Sequence, residues 1–364
     1  MTIICCISDS HLGYRHRMKK QRLLDYENSF LDATSKAMEL NPSMLIFAGD
    51  LVHHPRPEPK SLHTLITKLI DIAEKTPVIV CIGNHEIEGH LGTAYTPIFS
   101  DLHKNIHVLS TDNPHITLNL DGKRVGIHGF QYLRSRKLAE EKLAEVSGFE
   151  KNDYDILCLH QGIERYLSPF ELSLKVLREA AGKFDLILSG HVHKHQEIKE
   201  LMDVTPSYYV GSTERISFNE AENPTGFLAL RNFNEVEFIP VKSAIMDSVK
   251  GNLGSMKPGD VNKTIEDIIK DNRGRTECLQ IRINVELEGD YFDLRHDWSQ
   301  EQGFKILDVS VIPSAEEEFK SLEKIEISKD LVEEYFEKSG MHAREDLREI
   351  CKELYEKYAG GFKR

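Results

Sequence analysis

Residues 2–11 read TIICCISDSH, an Ile- and Cys-rich run that closes on two potential metal donors, Asp9 and His11. The run is too short for a helix, and its composition suits a buried strand. The pattern recurs along the chain. Residues 43–50 (SMLIFAGD), 77–84 (PVIVCIGN), 155–160 (DILCLH) and 184–193 (FDLILSGHVH) end, or nearly end, on Asp50, Asn84, His160 and His191 with His193. Such runs predict strands of an open α/β sheet, whose ligands sit in the crevice outside the carboxyl ends of the strands. Residues far apart in the chain can therefore converge there.

The donor set is imidazole, carboxylate and one amide, with no thiolate, which argues against a Cys zinc knot or an iron–sulfur cluster. Imidazole mixed with carboxylate suits manganese, iron or zinc, and these donors are too many for one tetrahedral ion. The count predicts two cations. At a separation of about 3.5–4 Å, such a pair acidifies a water and holds a phosphoryl group for in-line displacement, with one carboxylate bridging. Asp50 is the candidate bridge, because Gly49 permits a tight turn before it. A lone histidine is most often a hydrogen-bonded core residue, but donors at every strand end weigh against that for the set. In Asp9-Ser10-His11 and His191-Val192-His193, alternate residues of extended backbone point the same way and can share one metal region.

The segments DSHLGYR (9–15), FAGDLVHHPRPEP (47–59), IGNHE (82–86), LHQG (159–162), SGHVH (189–193) and VGSTER (210–215) resemble the signature set of calcineurin-like metallophosphoesterases. Through HLGYR, RPEP and GSTER the chain is similar, more narrowly, to the double-strand-break repair nucleases of the meiotic recombination eleven and SbcD family, especially the short archaeal forms. The likeness covers roughly the first 240 residues. It implies an α/β two-sheet sandwich flanked by helices, with a small α/β capping domain and a C-terminal helical tail. It also implies that Asp9, His11, Asp50 and His193 hold one metal while Asp50, Asn84, His160 and His191 hold the other. Two Mn2+ ions are expected, other divalent metals being possible.

By the same resemblance, His85 contacts the phosphate and gives a proton to the leaving 3' or 5' oxygen, work that suits an imidazole near neutral pH. His53 matches a second non-ligand histidine that influences exonuclease action, whereas His54 is expected at the surface. The implied activities are 3' to 5' exonuclease action on duplexes and endonuclease action on single strands or hairpins. The implied partners are DNA ends, a second copy through the first helices, and a Rad-fifty or SbcC-type ABC ATPase bound by the C-terminal helices.

Two other readings compete with this one. A small-molecule or cyclic-nucleotide phosphodiesterase would share the site, although such enzymes often stop near the end of the catalytic domain. An end-tethering scaffold with secondary nuclease activity is the other, and the intact donor set weighs against a purely structural role. A phosphoprotein substrate is disfavoured, since VHHPRPEP stands where serine/threonine phosphatases carry Asp-Arg-Gly.

The net charge of −13 argues against a broad basic face for DNA. A local cluster remains in YRHRMKKQR (14–22), where Arg15, Arg17, Lys19 and Lys20 are candidate DNA contacts or, equally, a solvated helix start. Acidic residues concentrate after Ala315, which leaves the preceding chain less negative than the total. The six cysteines show no disulfide spacing, and no leader or membrane-length apolar run is seen, so an intracellular, cytoplasmic, nucleoid-associated protein without membrane contact is expected. No phosphate-cradling Gly-rich loop is present, so ATP hydrolysis would belong to the partner.

Apolar periodicity predicts helices near 20–40 and 60–74, and Asp121-Gly122 predicts a hairpin, as does the run GFLALRNFNEVEFIPV (226–241). His128 is expected to be packed or hydrogen-bonded rather than a ligand. The Gly-, Ser- and Pro-rich stretch KGNLGSMKPGD (250–260) reads as a linker. It divides a nuclease domain, 1–245, from a capping domain, 258–313, expected as helix, strand, helix, strand with Trp298 packed inside. A helical segment, 316–364, follows, with apolar stripes such as Leu347, Ile350 and Leu354 that suit an ATPase partner.

Overall fold

The computed structural model describes residues 1–88, 93–298 and 300–313, with the side chains of Arg17 and Thr93 also left undescribed. The tail expected at 316–364, with Cys351, lies outside the described residues. No helix among the described residues is long and apolar enough to cross a membrane.

The first half of the chain alternates strand and helix as β1 (Ile3–Ile7), α1 (Lys20–Glu39), β2 (Met44–Ala48), α2 (Pro59–Ala73) and β3 (Val78–Cys81). After a short β4 (Ile87–Glu88), β5 (Thr93–Ala94) and α3 (Phe99–Leu102) come β6 (Ile106–Leu109), β7 (His115–Leu120) and β8 (Lys123–Gly129). The chain continues through α4 (Arg136–Val146), β9 (Tyr154–Leu159), α5 (Leu174–Ala181) and β10 (Leu186–Ser189). It then runs through β11 (Gln196–Glu197), β12 (Ser207–Tyr209), β13 (Gly226–Arg231) and β14 (Glu235–Pro240).

The five donor-tipped strands do not share the one open sheet that their apolar runs alone suggested; they divide between two sheets, the sandwich that the family resemblance implied. β1, β2 and β3 lie in a sheet of order β14-β13-β1-β2-β3-β6, while β9 and β10 lie in a second of order β11-β12-β10-β9-β8-β7. Alternation explains why two sheets were hidden in runs that are apolar throughout. In β1, Ile3, Cys5 and Ile7 face a layer with Phe30 and Ala33 of α1 and Leu65 and Leu69 of α2. Ile4 and Cys6 face the second sheet, meeting residues such as Val125, Ile127, Ile156, Cys158 and Leu188. The outer side of that second sheet packs Leu157, Leu159 and Ile187 on Leu143 of α4 and Leu177 of α5. The result is a helix, sheet, sheet, helix sandwich, and each fully buried Leu or Ile contributes about 1.5–3 kcal/mol to it.

The local signals act as read. Tyr26, Phe30, Ala33 and Ala37 form the buried stripe of α1, and Pro59 opens α2 at the position where its missing N–H costs nothing. Asp121 and Gly122 both take positive φ, 51° and 83°, closing the β7–β8 hairpin. Five described cysteines are free and buried.

Beyond β14 the sequence reading needs correction. The stretch expected as a linker, 250–260, instead holds the later part of β15 (Met246–Met256) and the first residues of the helix after it; β15 is parallel to β16 (Cys278–Leu287), which is parallel to β17 (Ile306–Pro313). Its glycines are tolerated because a strand at a sheet edge buries little. α6 (Pro258–Asn272) connects β15 to β16 and packs Val261, Ile265 and Ile269 on Leu279, Ile281 and Ile283. The described residues of DLRHDWSQEQ (293–302) form no α-helix: a 3-10 turn at Tyr291–Asp293 leads into irregular backbone. The indole N–H of buried Trp298 donates to the Arg295 carbonyl at 2.8 Å, and the Arg295 guanidinium lies 4.2 Å from the indole ring.

Arg22 of α1 is wholly buried and joins these layers. It donates to Asp25 at 2.8 Å and to the Arg215 carbonyl at 2.7 Å, and it lies 3.4 Å from Glu214, itself wholly buried. Asp25 in turn accepts from Lys305, just before β17, at 2.5 Å. Removing one partner of a buried ion pair leaves the other uncompensated, so Arg22→Ala should cost about 3–5 kcal/mol, measurable as a lowered urea midpoint. A midpoint that does not move would mean Glu214 finds another partner.

Candidate metal centre

Each donor sits where a strand stops. Asp9 and His11 follow β1, Asp50 follows β2, Asn84 follows β3, His160 follows β9, and His191 and His193 follow β10. Four of them adopt left-handed backbone, Asp9 (φ 50°), His11 (45°), Asp50 (52°) and His191 (78°), so turns and not the extended backbone expected for Asp9-Ser10-His11 and His191-Val192-His193 bring these donors together. Non-glycine residues held there cost on the order of 1–3 kcal/mol each, strain that persists only where neighbours over-determine it. Here the Asp9 N–H donates to the Gly49 carbonyl at 3.1 Å, the His11 N–H to the Asp50 carbonyl at 2.9 Å, and the His191 N–H to the Asp9 carboxylate at 3.1 Å. Gly49 itself has φ 91°, and a Cβ on it would stand 2.2 Å from His160 Nδ1, so the turn needs glycine for both reasons.

The sheet ends bring all seven predicted donors together. His193 Nε2 lies 3.0 Å from His11 Nε2 and 3.7 Å from Asp9 Oδ1. Asn84 Oδ1 lies 2.8 Å from His191 Nδ1 and 3.1 Å from His160 Nε2. Asp50 stands between these groups: its Oδ2 is 3.2 Å from His160 Nε2 and 3.9 Å from His11 Nε2. Asp9, His11 and His193 present ligand atoms within 4.8 Å of one another, and so do Asp9, Asp50 and His160. Converging lone pairs of imidazoles and carboxylates repel unless protons or cations lie between them. The donor set therefore fits divalent cations.

Burial shapes the charges. It would lower His160, but Asp50 and Asp9 outweigh it and raise the imidazole to about 10. Burial would likewise raise Asp50, yet His160 and His11 hold it well below the usual carboxylate range. Asp9 is raised by burial, with His160 and His193 opposing. Burial and the neighbouring His160 push His191 down to about 3, and burial drives His11 well below its ordinary value.

His85 follows Asn84 in a 3-10 turn; its N–H donates to Asp50 Oδ1 at 2.9 Å and its Nδ1 faces the His53 carbonyl at 2.8 Å. Its Nε2 is 4.0 Å from Asp50 Oδ2. The His53 ring stacks on it at 4.5 Å and is held down to about 4, by burial and then by His85. His54 is exposed and accepts the Arg56 N–H. His128 lies in the second sheet, buried between Asp155 at 2.9 Å and the ring of Phe149 at 3.8 Å.

Of the basic cluster, Arg15 pairs with Glu58 at 2.7 Å, Lys19 and Lys20 are exposed at the start of α1, and the Arg17 side chain lies outside the described set.

Two residues of the site were not assigned from sequence. Glu86 accepts N–H groups of Leu51 and Gly83, each at 2.6 Å, bracing the turn beneath Asp50; burial, then the Asp50 charge, pushes it up to about 7. It stands in the quoted IGNHE segment, which was the available signal. Glu220 meets His193 Nδ1 at 3.2 Å and has no local motif around it.

The match to known proteins agrees with this geometry. The calcineurin-like phosphoesterase family model matches residues 2–195, more than half of the chain, and the protein belongs to that family. Its relatives include archaeal proteins named DNA double-strand break repair protein Mre11. That of Methanocaldococcus jannaschii is 32% identical over 222 residues, 60% of this chain and 58% of the relative. That of Methanococcus maripaludis is 27% identical over 224 residues, again 60% and 58%, and that of Thermoplasma acidophilum is 26% identical over 301 residues, 78% and 76%. The chain thus spans less than two thirds of the length of the first two.

Because folded His160 titrates near 10 and an unfolded histidine near about 6.5, its pairing stabilises metal-free protein fully below pH 6.5. That contribution is lost as pH rises toward 10. Urea unfolding in chelator from pH 6 to 10 should show stability falling along this window, with a shallower fall for His160→Gln. Equal slopes would show that His160 carries no such proton.

Proposed function

We propose that this chain is a two-metal DNA nuclease that processes double-strand breaks. The observation that carries the reading is the central Asp50 carboxylate, whose Oδ2 lies within 4.0 Å of ring nitrogens of His11, His85 and His160. A carboxylate so placed suits the bridging role between two cations. Asp9, His11, Asp50 and His193 hold one metal in this reading, and Asp50, Asn84, His160 and His191 the other, with Mn2+ as the resident ion. When bound, the pair supplies Lewis acidity at phosphoryl oxygens and acidifies a water. The names of the archaeal relatives favour DNA as the substrate.

The remaining steps belong to side chains of this protein. His85, its Nδ1–H donated to the His53 carbonyl, keeps Nε2 toward the crevice; as the imidazolium it gives its Nε2 proton to the departing 3' or 5' oxygen and returns to the neutral ring. His53 acts through orientation, by its carbonyl and its stacked ring. Arg15, Arg17, Lys19 and Lys20 meet the entering backbone, Arg15 exchanging Glu58 for phosphate. Residues 1–245 form the nuclease unit, 258–313 orient duplex DNA, and 316–364 bind the coiled-coil base of an ABC-type ATPase. The protein works as an intracellular, nucleoid-associated homodimer, with 3' to 5' exonuclease and single-strand endonuclease action.

An end-labelled duplex, a hairpin and a small phosphodiester, incubated with Mn2+, Mg2+ or chelator, test this. Manganese-dependent shortening is expected, lost to background in Asp50→Asn and reduced about 10²–10⁴-fold in His85→Gln, the usual contribution of a general acid. Intact DNA beside a hydrolysed small phosphodiester would replace the nuclease with a small-molecule enzyme. DNA bridging retained by a cleavage-dead Asp50→Asn would show that tethering stands alone.

A further inference from the structure

We infer that Glu220 is a positioning residue that fixes the tautomer and orientation of His193 and raises its basicity toward one metal of the pair, an inference that rests on the ligand role of His193 given above. The four imidazoles that face the Asp9 and Asp50 carboxylates through Nε2 are held on their other nitrogen by different groups. His160 Nδ1 faces the Ala48 carbonyl at 2.8 Å, His85 Nδ1 the His53 carbonyl at 2.8 Å, and His11 Nδ1 the His53 ring at 3.3 Å. His193 alone of these has a carboxylate there, Glu220 Oε1 at 3.2 Å. With the Nδ1–H donated to Glu220, the Nε2 lone pair points at the gap bounded by His11 Nε2 and Asp9 Oδ1. A carboxylate behind a ligating imidazole strengthens the ligand, and its removal typically weakens metal affinity about 10–100-fold.

Glu220 is itself pinned. Its Oε2 accepts the Ile216 N–H at 2.9 Å and its Oε1 the Ser217 hydroxyl at 3.2 Å. It ends the 3-10 turn Phe218–Glu220, and Phe218 packs with Met246 of β15, Cys278 of β16 and Ile306 of β17. The preceding residues are clamped by Arg22, which donates to the Arg215 carbonyl, and by Arg215, which donates to the Asn223 carbonyl at 3.0 Å and to Ser243 Oγ at 2.8 Å. The third sheet therefore braces the turn that aims a donor in the first two. The carboxylate is 17% exposed and His193 14%, so solvent competes little for the contact.

The test is calorimetric titration of the metal-stripped full chain with MnCl2, together with melting of the same preparations without metal. Wild type is expected to bind with a two-site isotherm. In Glu220→Gln, one site should weaken about 10–100-fold, the other should keep its affinity, and the metal-free melting temperature should stay put. Ser217→Ala removes another partner of the same oxygen while leaving the charge beside His193; it should keep both affinities and so separates loop stability from ligand orientation. Unchanged affinities in Glu220→Gln, or both sites weakened alongside a lower melting temperature and matched by Ser217→Ala, would overturn the inference alone. Absence of any Mn2+ binding by wild type would overturn the metal-site reading and this inference with it.

Discussion

Two buried carboxylates, Asp9 and Asp50, at the meeting ends of two sheets set the terms for everything around them. Ionised carboxylates without partners are costly away from water. They are tolerated here because imidazoles from both sheets surround them, and His160, raised against burial to about 10 by Asp50 and Asp9, stands 3.2 Å from Asp50. The sandwich places these groups, and the left-handed turns after β1, β2 and β10 aim them. Backbone strain at those turns is balanced by hydrogen bonds that run between the turns themselves, such as His11 N–H to the Asp50 carbonyl. The site is thus held by its own neighbours more than by flexible loops.

The same logic reaches outward through layers of support. Glu86 braces the backbone under Asp50, the His53 carbonyl orients His85, and Glu220 backs His193. The last of these depends on a turn whose Phe218 is sunk among residues of the third sheet, so that module is mechanically continuous with the centre. Arg22 reinforces this continuity by tying α1 to the Glu214–Arg215 segment, while Asp25 beside it reaches Lys305. A change in this region can therefore shift the support behind His193 without touching that residue.

Charge across the molecule is distributed in keeping with this division. The chain is acidic overall, and the basic residues before α1 are in part already paired, as Arg15 is with Glu58. A polyanion that bound Arg15 would compete with Glu58 for it, which would make such binding sensitive to local geometry and salt.

Much of the sandwich was legible in the sequence, because short apolar runs, a Pro at a helix start and an Asp-Gly turn are local signals whose physics acts within a few residues. The candidate donors had a local signal of the same kind: each stands at or just beyond the end of a short apolar run that reads as a strand. The two facing sheets came only through the family resemblance and not from the runs themselves, since runs buried on both sides carry no mark of which neighbour they pair with. The Gly-, Ser- and Pro-rich stretch 250–260 looked like a linker because edge strands need few large side chains, and the described part of 293–302, expected as a helix, is irregular backbone in which the Trp298 indole N–H donates to the Arg295 carbonyl. Glu220 lies 27 residues from His193 with no motif to flag it. Sequence determined which residues could act, through composition and local periodicity; only the packing of distant layers decided which of them meet, because hydrogen bonds and charge interactions depend on distance in space and not along the chain.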